Sequence, residues 1–152
     1  MKKNILKLFV IASLTTIYTN AGDLSRTSNG IVTDSSTNLQ WQDDIILEKG
    51  WSGAIEYCEN LTLGGYDDWR LPNINELLSI VDYNKADKYD NNRDLIKGDT
   101  FQKRNFFSSY ISSTTLPYSK NSVMWYIDFT DGKVMLGLKN SSSCVRCVRG
   151  GQ

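Results

Sequence analysis

The stretch that most limits how this chain can fold is residues 64–78, GGYDDWRLPNINELL. Gly64 and Gly65 permit backbone angles that other residues resist, so the segment opens on a turn. Pro72 biases Leu71 toward an extended conformation. Asn73 is a good helix N-cap, and Glu76 stands three residues later, the spacing of a capping box. Turn, extended segment and helix start therefore follow one another within fifteen residues. Trp69 and Trp41 are expected in the core. Arg70 and Glu76 are expected as an ion pair that also caps the helix. Trp41, Trp69, Arg70, Pro72, Asn73 and Glu76 are thus read as a structural set.

Residues 1–21 are set aside as a secretory signal peptide. Lys2, Lys3 and Lys7 form a basic start, residues 5–14 are largely apolar, and small residues follow at Thr19-Asn20-Ala21. The apolar run is shorter than the roughly 20 residues a bilayer span needs. No membrane insertion is expected once the signal is cleaved, and the product is expected in the periplasm, on the cell surface or outside the cell. The chain carries 17 basic and 17 acidic residues. Without the three early lysines the balance is 14 against 17, a net charge of −3. That leaves no global field to attract nucleic acid. No histidine is present. His-based triads, Cys-His dyads and His-ligated metals are therefore excluded, and a non-catalytic protein is expected.

In an exported chain the cysteines Cys58, Cys144 and Cys147 are read first as disulfide formers. If residues 144–149 form one strand, alternation places Cys147 with Val145 and Arg149 on one face, and Cys144 with Arg146 and Val148 on the other. Only one of the two can meet Cys58. The pair Cys58–Cys147 is favoured, with Cys58–Cys144 as the alternative. A leftover Cys144 could join two chains, so oligomerisation is an expectation to test.

Along the chain, residues 22–29 read as a loose polar lead. Residues 30–33 and 39–42 read as a hairpin around a turn cluster, and residues 43–50 as a connector. Residues 51–63 carry Trp51, Ala54, Ile55, Cys58 and Leu61 at helical spacing, with Gly64-Gly65 as the C-cap. A second helix should start after Asn73 and turn Ile74, Leu77, Leu78 and Val81 inward. Residues 84–94 are polar and charged, and the connection they begin runs to about residue 105, long for a compact domain. Residues 106–115 suggest a strand and loop. Residues 123–129 alternate, with Val123, Trp125, Ile127 and Phe129 on one face. Thr130-Asp131-Gly132 turns the chain, and Val134, Leu136 and Leu138 alternate on the return. Early helices and late strands argue a single α+β domain over residues 30–152.

The segments 30–42 (GIVTDSSTNLQWQ), 51–83, 108–114 (SSYISST), 125–134 (WYIDFTDGKV) and 145–150 (VRCVRG) together resemble the Lcl C-terminal domain family. That resemblance implies a C-type-lectin-like fold, related to the formylglycine-generating enzyme domain, with two helices packed on a twisted antiparallel sheet. It implies one disulfide from a helix cysteine to the last strand, which agrees with Cys58–Cys147. It also implies an exported bacterial binding module. The copy carried by collagen-like adhesins is associated with sulphated glycans and surface attachment. Ile111 stands where the family often has tryptophan, and Cys144 is an addition.

The candidate ligand set is Tyr110, Tyr118, Lys120, Tyr126, Asp128 and Arg146. Sugar rings stack on exposed aromatics, and Tyr126, Asp128 and Arg146 are expected to face away from the core. No metal site or cofactor is expected. Calcium is the one ion that Asp67, Asp68, Asp128 and Asp131 would suit, although neither pair alone supplies its six or more oxygens. The function these readings support is adhesion, or glycan or surface-ligand binding. The alternative is a structural or protein-interaction module of the cell envelope.

Overall fold

The computed structural model describes residues 24–44, 46–85, 95–97, 100–101, 109–119 and 122–151. The signal segment, most of the polar connection and Lys120 lie outside them. Strands β1 (Leu24–Arg26), β2 (Ile31–Asp34) and β3 (Leu39–Gln42) come first, then β4 (Ile46–Lys49) and helix α1 (Trp51–Glu59). Helix α2 (Ile74–Ser79) is followed by a 3-10 turn at Tyr83–Lys85. The last strands are β5 (Ser109–Thr115), β6 (Val123–Asp128), β7 (Lys133–Leu138), β8 (Ser143–Val145) and β9 (Val148–Gly150).

The strands form two sheets where one was expected, in the orders β1-β2-β3-β9 and β4-β8-β5-β6-β7. The larger sheet is mixed, because β8 runs parallel to β5 at Tyr110↔Cys144. Residues 144–149 are not one strand. The chain leaves the larger sheet after Val145 and joins the smaller one at Val148. The facing segment does the same, since β3 belongs to the small sheet and β4 to the large one. The supposed connector 43–50 thus contains a strand. Leu24–Arg26, expected loose, pairs with β2.

The larger sheet is buried on both faces at β5, β8 and the start of the β6–β7 hairpin, which alternation makes visible in neighbouring residues. Tyr110, Ile127 and Cys144 join a core with Leu77 and Ile80 of the α2 segment, and with Val32, Trp41 and Val148 of the small sheet. Ile111, Met124, Val145 and Cys147 join a second core with Ala54 and Cys58 of α1. The helices therefore cover opposite faces. Leu95, Ile96 and Phe101 interrupt the expected polar connection and are also buried in the first core. Leu95 donates its amide to the Phe129 carbonyl (2.8 Å).

Alternation is right about the cysteines although the strand is broken. Cys58 and Cys147 form a disulfide with Cα atoms 5.5 Å apart, closing a separation of 89 residues. Cys144 is buried on the other face and takes no part in the disulfide.

Residues 64–78 tie these parts together. Helix α1 ends earlier than expected, with Asn60 as its C-cap. Gly64 and Gly65 instead turn a tight hairpin in which Leu63 and Tyr66 exchange backbone hydrogen bonds (3.0 and 3.1 Å). Gly64 has φ +65°, and a Cβ there would lie 2.3 Å from Ile31 Cδ1. Trp69 and Leu71 enter the second core. Arg70 exchanges two backbone bonds with Val148 of β9, both 2.9 Å. The Pro72 carbonyl accepts from Ser113 of β5 (2.8 Å). Asn73 and Glu76 form a full capping box. Arg70 grips Glu76 with two bonds of 2.8 and 2.6 Å. Burial pushes the Glu76 carboxyl up, but the Arg70 hydrogen bonds, the Asn73 amide and the Arg70 charge outweigh it, so its pKa lies below the ordinary value.

Two outcomes follow from these contacts. Closing a loop of this length restricts the unfolded chain by roughly 4 kcal/mol. The Cys58→Ala/Cys147→Ala variant should lose about that much in urea unfolding. The folded pKa of Glu76 is depressed, so its contribution is complete above the unfolded value near 4.5 and is lost as pH falls through the folded value. Glu76→Gln should cost about 1–2 kcal/mol at neutral pH. That cost should shrink below about pH 4 in a denaturation series across pH.

Candidate functional site

The expected ligand set does not converge. Tyr110 is 4% exposed and meets Phe129 edge-on at 4.9 Å between ring centres. Arg146, expected to face outward, is 1% exposed. It lies at the bend between β8 and β9, where the chain turns its side chain inward. Its Nη1 donates to the carbonyls of Gln42 (2.7 Å) and Asp43 (2.9 Å), and its guanidinium sits 4.4 Å from the Phe101 ring centre. Nε and Nη2 are buried without a hydrogen-bond partner. Tyr126 is half-buried against the second core. Asp128 accepts from the amide (2.9 Å) and hydroxyl (2.7 Å) of Thr130, so it caps the β6–β7 turn. Of the described residues in the set, only Tyr118 is open to solvent, at 97%.

Three of the carboxylates considered for calcium, Asp68, Asp128 and Asp131, are engaged by neighbouring groups. Asp68 takes two bonds from Arg149, 2.5 and 3.1 Å, and that contact lowers its pKa. Asp131 pairs with Lys133 at 2.6 Å. Among the described residues no group of three or more histidine, cysteine, aspartate or glutamate side chains is placed to hold a metal ion.

The β6–β7 hairpin presents a surface that the sequence reading assigned to the core. β7 ends its sheet among the described residues. Trp125 lies opposite Leu136, Val123 opposite Leu138, and Ile127 opposite Val134. Cross-strand partners share a face. Burial falls along that face, from Ile127 at 0% exposed to Leu136 at 47% and Leu138 at 54%. Trp125 and Val123 are half-buried between them. On the opposite face Met135 is 37% exposed, and Gly137 leaves room for Met124 and Tyr126, whose atoms would lie 3.1 Å from a Cβ there. The signal that could have revealed this surface is Met135, because an apolar residue between Val134 and Leu136 makes both faces of the strand apolar.

A second, more polar feature lies on the outer side of α1. Lys49, Glu56, Tyr57, Asn60 and Thr62 line an open groove of about 400 Å³. Gln42 Nε2 donates to the Tyr57 hydroxyl (2.7 Å), and Lys49 Nζ stands 5.6 Å from the ring centre. Burial raises the pKa of the Tyr57 phenol, so it stays protonated at neutral pH. Among the described residues no helix is long and apolar enough to cross a membrane.

Residues 30–149 match the family model of the Lcl C-terminal domain. No curated protein matches the chain.

The two ends of the expected ligand set should behave oppositely on substitution. Arg146→Ala leaves two buried carbonyls without their donor and uncovers the Phe101 ring. It should cost roughly 3 kcal/mol in urea denaturation. Tyr118→Ala should change stability by less than about 0.5 kcal/mol in the same measurement.

Proposed function

The chain belongs to the Lcl C-terminal domain family, and from that membership we propose that it is an exported, non-catalytic binding module. It takes a surface ligand on the apolar face of the β6–β7 hairpin. The observation that carries this reading is the run of exposed Leu136 and Leu138 beside half-buried Trp125 on a sheet-terminal hairpin. Contiguous exposed apolar patches mark interaction sites, and an aromatic anchor at the patch centre is the usual energetic focus. The export reading rests on the basic, apolar start of the chain, and the disulfide fits an oxidising compartment. The fold in this reading is C-type-lectin-like, supported by the bridge from a helix cysteine to the terminal segment. The absence of histidine supports a binding role over a catalytic one.

The face fits a protein ligand better than a sulphated glycan. Residues 134–138 carry no cation, and the chain without its first 21 residues is weakly acidic. Glycan binding is the second reading, and the α1 groove favours it. Tyr57 with Glu56 and Asn60 offers a ring edge and planar polar groups, a combination that suits a neutral sugar.

The test screens the purified, oxidised protein against immobilised host and bacterial surface proteins and against a glycan array. A protein ligand should be found, and Leu136→Asp/Leu138→Asp should weaken it more than about 10-fold with unfolding unchanged. Binding that survives this double substitution removes the hairpin face from the reading. Glycan binding lost in Tyr57→Ala would install the groove instead.

A further inference from the structure

The polarity of the α1 groove is set by residues behind it. Gln42 is buried, and its side-chain oxygen accepts from the Cys147 amide (3.3 Å). That contact fixes which end of its amide faces Tyr57, and Nε2 donates to the Tyr57 hydroxyl (2.7 Å). A phenol oxygen that accepts such a bond keeps its own proton to give. Gln42 approaches from the buried side, so the proton is left on the groove side. Burial, with the Asp44 charge adding to it, keeps that proton on the oxygen at neutral pH. Tyr57 therefore meets the groove as a donor. Lys49, whose ammonium lies near the same ring, is a second group that only donates. Glu56 and Asn60, one helical turn apart, have the opposite polarity. Asn60 Nδ2 donates to the Glu56 carbonyl (2.8 Å), which leaves its side-chain oxygen as the free, accepting end. The Glu56 carboxylate only accepts, and no ion pair holds it among the described residues. Leu61 adds a half-buried apolar patch to the same lining.

We propose that this groove binds a 2-acetamido sugar, whose amide carbonyl takes the Tyr57 proton, whose amide N–H faces Glu56 or Asn60, and whose methyl lies against Leu61. The proposal rests on the glycan reading of the groove given above and narrows it. A sugar hydroxyl both donates and accepts, so it needs no site whose polarity is set in advance. A secondary amide carries its donor and its acceptor at opposite ends. Donor-only groups around Tyr57 and accepting groups at Glu56 and Asn60 match that arrangement. An anionic sugar is disfavoured, because the Asp44 charge acts on the same hydroxyl and Glu56 lines the groove. A peptide bond has the polarity of an acetamido group. Extended peptides, however, are held by a row of main-chain bonds along a sheet edge, and a helix surface offers no such row. The donor is also in place before a ligand arrives. Gln42 is braced on Cys147, and Cys147 is bonded to Cys58, the residue after Tyr57. Such preorganisation lowers the entropy lost on binding.

The probes are N,N′-diacetylchitobiose and cellobiose, which share one linkage and differ in the acetamido groups. Isothermal titration of the purified, oxidised protein should show diacetylchitobiose binding at least about 10-fold more tightly than cellobiose. Tyr57→Phe keeps the ring and removes the proton. It should weaken diacetylchitobiose about 10-fold with thermal unfolding unchanged, and so erase the preference. Saturation-transfer NMR needs no variant, and on the unaltered protein the acetamido methyl should receive the strongest transfer. Equal affinity for the two disaccharides overturns the proposal and leaves the neutral-sugar reading of the groove standing. Binding of neither also overturns it, and the glycan reading falls with it if the glycan array is silent as well. A preference that survives Tyr57→Phe overturns it, as does transfer spread evenly over the ring protons. An N-acetylated dipeptide that binds as tightly as diacetylchitobiose overturns it in favour of a peptide.

Discussion

The structure hangs on the place where two antiparallel segments cross from one sheet to the other. Residues 39–49 and 143–150 pair first in the small sheet and then in the large one. Both bend between the two, at residues 43–44 and 146–147. A bend in two paired strands breaks the ladder and strands backbone carbonyls inside the protein, where each unpaired group is costly. Arg146 meets that cost with one guanidinium, supplying donors to Gln42 and Asp43 while its flat face lies on Phe101. Gln42 closes the other side, its amide donating to the Cys147 carbonyl at 2.9 Å and its side-chain oxygen accepting from the Cys147 amide at 3.3 Å. The disulfide then fixes α1 to the same point.

The WRLP segment makes sense only against that junction. β9 is three residues long, too short to hold itself in a sheet. It gains a partner on each side, β3 on one and Arg70 on the other. Asp68 and Arg149 add a side-chain clasp over the same contact. The segment then delivers Asn73 to start α2 on the face opposite α1. Sixteen residues, from Leu63 to Leu78, thereby join both sheets and position the second helix.

Local rules made much of this legible. Asn73 and Glu76 announced a helix start because a capping box is a matter of neighbouring backbone and side-chain atoms. Alternation set Cys147 and Cys144 on different faces and left Cys58–Cys147 the favoured pair, and that separation survived the bend because Val145 and Cys147 remain in one core while Cys144 and Val148 remain in the other. What failed depended on layers that periodicity does not report. Arg146 looked outward because a single strand was assumed, and nothing nearby in sequence announces the change of sheet. Tyr110 looked available because residues 106–115 read as a strand with a loop, whereas it lies within β5 and packs edge-on to Phe129 in the first core. The alternation of Val134, Leu136 and Leu138 would normally set one face against a core, yet all three are exposed. Here the strand has simply run past the edge of α2.

That last mismatch separates the work of stability from the work of contact. Ile127 is fully buried, yet its neighbour across the strand, Val134, is 36% exposed. The core therefore ends within the β6–β7 hairpin, and β7 adds little to it. A strand that the core does not need would ordinarily be free to acquire polar residues on its open side, since charge there protects against stray pairing. Residues 134–138 remain apolar on both faces and carry glycine only where Met124 and Tyr126 cross the strand. Folding does not demand that composition, and solubility disfavours it. A surface that a ligand covers, as the proposed binding role requires, would account for it.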